Sequence, residues 1–165
     1  MLRLAVEVYD VSVAVHVMAT IAAFGPLFAF PLFISVTERR DPYSLPVVLR
    51  AVNRTERAIV VPAGAVVGFT GVYQAIDGPF SFDDDLWMGI GFVLYLLVFG
   101  ALVLLVEPLR ARAADEADRA LSDDDDEEPE LSAAYRERMR LPNALMPAIG
   151  IVILFVVYLM EVKPG

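Results

Sequence analysis

The sequence predicts an all-α fold, a four-helix transmembrane bundle, and three observations predict it. Four apolar runs each have about the 17–25 residues a membrane-spanning helix needs. With 58% hydrophobic residues and a mean hydropathy of +0.60, the chain is too apolar for an ordinary soluble domain. The charged residues fall between the runs, as polar loops between spans do. At 165 residues, four spans leave room for one membrane domain covering 1–165 and little else.

The first run, 11–36, carries no charge and holds His16, the single histidine of the chain. It is too long for the apolar region of a signal peptide, and Glu7 and Asp10 interrupt its approach, so it reads as a retained span. Gly25, Pro26 and Pro31 predict a kink in its second half, because each proline removes a backbone hydrogen bond. Between this span and the second, Leu45, Val48, Leu49 and Val52 recur at helical spacing opposite Arg50, Asn53, Arg54 and Arg57. This predicts a short amphipathic interfacial helix over 44–57, either a lipid or partner contact or an elbow into the next span.

The second run, 58–76, places Gly64, Gly68, Gly71 and Ala75 on one stripe, which admits a close neighbour. Thr70 and Gln74 lie beside that stripe. The third run is 86–106 and the fourth 144–160. The polar stretch between them, 107–142, centres on an acidic block from Ser122 to Glu130 that repels itself and predicts disorder. Its arginine-bearing flanks, 107–121 and 131–140, predict helical extensions of spans three and four. The acidic block lacks the glycine turn and terminal glutamate of a calcium-binding loop.

Orientation follows the arginines. Eleven lie in the first and third loops and none in the second, Asp77 to Asp85. Lys and Arg in short loops face the cytoplasm, so both termini face outward and the protein is a multi-pass protein of the cell (plasma) membrane. The formal charge of −9 argues against nucleic acid, or anionic lipid, as a general partner, although the negative charge is local. With no cysteine, disulfides, thiolate metal sites and cysteine nucleophiles are excluded.

This topology brings His16, Thr70, Gln74, Tyr158 and Glu161 to one depth near the outer side, a polar cluster with no equivalent in the inner half. A buried imidazole must bond to something. Three readings of His16 stand: an interhelical hydrogen bond, an axial ligand to haem or a metal, and a proton carrier. One histidine supplies one axial ligand, so haem would need Met18, Met146, Met160, another residue, or His16 of a second protomer. No run of Met and His suited to copper appears, and no nucleotide loop, zinc-protease motif or nucleophile elbow.

The stretch HVMATIAAFG from His16 to Gly25, the PAGAVVGFTGVY segment from Pro62 to Tyr73, and the closing YLMEVKP from Tyr158 to Pro164 resemble a family of prokaryotic four-helix membrane proteins, catalogued as a domain of unknown function. Where that family places Trp shortly before the glycine, Ala23 and Phe24 stand here. Through His16 and Gly25 the first span is also distantly similar to the copper-resistance D-type membrane domain and to the bacterial protoporphyrinogen oxidase. The first resemblance implies an integral membrane protein of accessory or structural kind, standing alone in the lipid bilayer, within a larger complex or beside a second protomer. The second implies haem binding through His16, or a membrane oxidoreductase or copper-handling protein. The oxidase's intramembrane basic partner has no counterpart, since Lys163 lies at the end of the chain. A small transporter or channel component is a further class, and it requires a continuous polar path.

Overall fold

The computed structural model describes residues 2–77, 86–122 and 131–163, with side chains described for 8–77, 86–121 and 131–163. The acidic run after Ser122, whose disorder the sequence predicts, and most of the second loop lie outside the described residues.

Four long helical rods form the described structure, and there is no strand among the described residues. The first is α1, Leu2–Arg40, which continues without a break through Pro26 and Pro31. At 1.5 Å per residue it is about 58 Å long, nearly twice the hydrocarbon core it has to cross. A short 3-10 turn, Pro42–Ser44, reverses the chain into α2, Leu45–Thr55, which runs through a π-helical stretch, Glu56–Val60, into α3, Val61–Asp77. The third rod repeats this plan: α4, Leu86–Ala101, a π-helical stretch, Leu102–Val106, then α5, Glu107–Ser122. The fourth is α6, Ala133–Val162, opened by Ser132, whose hydroxyl accepts from the Tyr135 backbone N–H. Around the bundle α1 packs on α3 and α6, and α4 packs on the same two, so successive rods are antiparallel neighbours.

The two π stretches have a cause that can be read in the sequence. On the second rod the inward residues Val52, Glu56, Val60 and Gly64 follow one another at intervals of four, and on the third rod so do Val98, Leu102, Val106 and Arg110; all eight are buried. An α-helix with 3.6 residues per turn drifts off such a face. One wider turn restores the phase, as an inserted stutter does in a coiled coil.

Each rod therefore keeps one face inward over two stacked cores. The larger core, in the half toward the chain termini, includes Ala23, Phe24, Leu27, Phe30, Val60, Val67, Val98, Leu102, Val106, Met146, Ile149 and Ile153. The smaller, in the arginine-rich half, is built from Ile34, Leu45, Leu49, Ala113, Ala114, Ala117, Tyr135 and Met139. Around the larger core the outward side chains are apolar as well: Ile21, Phe69, Ile76, Leu97, Leu104 and Ile151 are each more than 60% exposed. A soluble protein does not tolerate such a girdle, and a bilayer requires it. All four rods are long and apolar enough to cross a membrane.

The helix predicted over 44–57 is present as α2, and its apolar face lies on α5, not on lipid. Asn53, read from the sequence as outward, is buried at 7% exposure. The predicted extensions of spans three and four are present as α5 and the first turns of α6. Ion pairs on the outside tie α5 to the second rod, Arg50 to Asp118 at 2.7 Å and Arg57 to Glu107 at 2.5 Å, and to α6, Arg138 to Glu116 at 3.2 Å. The Tyr135 hydroxyl donates to Glu38, tying α6 to α1.

Candidate functional site

Two polar sites lie inside the bundle. The first is the one the sequence predicts. His16 Nδ1 lies 2.8 Å from Thr70 Oγ1, joining α1 to α3. The Thr70 hydroxyl also lies 2.7 Å from the Val66 carbonyl of its own helix, and which of Nδ1 and Oγ1 donates in the interhelical bond depends on the ring tautomer. One turn outward, the Gln74 side-chain amide donates to the Ser12 backbone carbonyl at 3.2 Å. His16, Thr70 and Gln74 are thus brought to one seam, with Gln74 bonded to Ser12.

Tyr158 and Glu161 are not part of it. Tyr158 is 56% exposed and stacks on Phe155 of its own helix, and Glu161 is exposed too. Their azimuth keeps them out of it. The inward face of α6 runs through Ile149 and Ile153, and successive helical residues are 100° apart, which turns residues 158 and 161 toward the bilayer.

The glycine stripe of α3 is occupied by side chains instead of by a neighbouring backbone. A Cβ on Gly64 would lie 2.5 Å from Phe99, one on Gly68 2.8 Å from the Tyr95 hydroxyl, and one on Gly71 3.4 Å from His16. Tyr95, stacked on Phe99, donates its hydroxyl to the Gly64 carbonyl at 2.9 Å. These groups line a partly open cavity of about 90 Å³ between the rods, walled by His16, Phe24, Tyr95, Met88 and Met160 among others.

Of the methionines considered as second ligands, Met18 is 62% exposed and Met146 is packed in the core; Met160 shares the cavity with His16. No group of three or more His, Cys, Asp or Glu side chains gathers among the described residues. Below the cavity the large apolar core fills the bundle.

The second site corrects the expectation that the inner half is without polar groups. At the junction of the two cores Glu56 Oε1 and Arg110 Nη1 meet at 2.5 Å, their side chains 5% and 1% exposed. Asn53, one turn before Glu56, is buried beside them on α2. Asn53 Oδ1, Glu56 Oε2 and Arg110 Nε have no hydrogen-bond partner among the described residues. The signal for this pair was in the sequence. Glu56 and Arg110 stand where the four-residue spacing of each rod calls for an apolar side chain, and a charge at such a position is buried unless the helix turns away.

The comparisons agree with this architecture. A family model described as "Predicted integral membrane protein (DUF2269)" matches residues 11–164. No curated protein matches the chain, and no solved structure does.

Proposed function

Because the chain belongs to the DUF2269 family of predicted integral membrane proteins, we propose that it is an accessory, non-catalytic component of the cell membrane, with its arginine-bearing half in the cytoplasm and both termini outside. The observation that carries this reading is how the interior polar groups are used. His16 bonds Thr70, Gln74 bonds Ser12, Tyr95 bonds Gly64 and Glu56 bonds Arg110, each joining two different rods. They serve as joints between helices and are not gathered around a substrate. A general acid and base poised at one reacting atom, which catalysis would need, does not emerge from them.

The arginine-bearing half supports the orientation. There the rods continue past the bilayer as a packed, ion-paired stalk, a rigid body suited to meeting a cytoplasmic partner. The chain has no cysteine, so single cysteines introduced at exposed positions report sidedness without background. In intact cells Glu161→Cys is expected to react with a membrane-impermeant maleimide, and Arg119→Cys only after lysis. The reverse pattern would overturn the orientation.

A further inference from the structure

Between α1 and α6 a groove of about 290 Å³ opens toward the bilayer, walled by Leu27, Phe28 and Pro31 on one side and Pro147, Gly150 and Ile151 on the other. Every lining side chain is apolar. Phe28 and Ile151 are 50% and 69% exposed, so the groove is a lateral cleft in the girdle. Gly150 keeps it open: a Cβ there would come within 3.3 Å of the Phe28 ring.

Below the groove the chemistry changes. Arg136, Arg140 and Pro147 lie on one stripe of α6, at intervals of four and seven. The contact of Tyr135 with Glu38 sets the register of the two helices. Along α6, Arg140 lies seven residues, about 10 Å, below Pro147 on the way to that contact. Both arginines are exposed, and neither has an acidic partner among the described residues, unlike Arg50, Arg57 and Arg138.

We propose that this groove and the two arginines form a binding site for a phospholipid with an anionic headgroup, one acyl chain in the groove and the phosphate between Arg140 and Arg136. An apolar slot with two exposed guanidinium groups further along the same stripe, neither ion-paired among the described residues, complements such a lipid in shape and charge. A second copy of the chain suits it less. A two-fold axis along the membrane normal would bring the same arginines of both copies together at the same height. The net negative charge of the protein does not oppose the site, because guanidinium and phosphate meet within a Debye length, where local charge decides. The inference rests on the chain spanning a bilayer and is independent of which side the arginines face, so it survives a failure of the cysteine experiment.

The test is retention of lipid by the purified full-length protein in native mass spectrometry, with dioleoylphosphatidylglycerol and dioleoylphosphatidylcholine as probes. The wild type is expected to retain phosphatidylglycerol in preference to phosphatidylcholine. Arg136→Gln with Arg140→Gln should reduce that preference about thirtyfold, roughly fivefold per arginine. Ile151→Trp, which fills the mouth of the groove, should reduce retention of both lipids. Equal retention of the two lipids by the wild type, or an unchanged preference in the arginine double variant, would overturn the proposal.

Discussion

Replacing Arg110 by leucine is expected to destabilise the protein by about 3–5 kcal/mol, because it leaves the Glu56 carboxylate buried without a counter-charge. Glu56→Leu should cost a similar amount for the converse reason. The two substitutions together should lie close to wild type, since a well-packed apolar pair avoids desolvating two charges. The orphaned Glu56 Oε2 and Arg110 Nε point the same way: the pair is incompletely satisfied, so its net contribution is small although breaking it is costly. What the pair supplies is alignment. It joins the second and third rods at the level of their π-helical stretches, where the membrane half meets the stalk. Unfolding of the purified protein in mixed detergent micelles measures all three variants. An Arg110→Leu protein as stable as wild type would show that the buried pair joins nothing.

The second large effect is expected at Gly64. A leucine there must displace the Phe99 ring, whose Cε2 would lie 2.5 Å from the new Cβ, and overpacking of this kind costs about 1–3 kcal/mol. Phe99 stacks on Tyr95, and Tyr95 bonds the Gly64 carbonyl, so the strain passes to the wall of the cavity beside His16. Gly64→Leu combined with Phe99→Ala should recover part of the loss, as a large-to-small change opposite a small-to-large one restores volume. Full stability of Gly64→Leu alone would mean that the stripe is not a close contact.

The sequence and the structure agree where hydropathy has a sharp contrast to report. Span lengths, the antiparallel order and the helical extensions all follow from apolar runs meeting arginine-rich segments, and His16 with Thr70 followed from depth alone. What depth cannot give is azimuth. A helix that faces lipid on one side and core on the other is apolar all round, so its pattern carries no phase, and Tyr158 and Glu161, grouped with His16 by depth, face away from it. In the stalk, where one face meets water, phase returns. There Leu45, Leu49 and Val52 mark the buried face of α2, and they continue onto Glu56. Reading that face as strictly apolar is what hid the ion pair. The lateral groove was legible only in its parts, Pro31, Pro147 and Gly150, since the two helices that form it are far apart in sequence.

At the centre of this account stands His16, held by Thr70 as a joint between α1 and α3 and not as a ligand to haem. Titration of the purified protein with haemin, followed in the Soret region beside His16→Ala, tests that most directly. The account predicts no saturable band attributable to the protein and superimposable titrations for the two. A stoichiometric Soret band in the wild type that disappears in His16→Ala would contradict it.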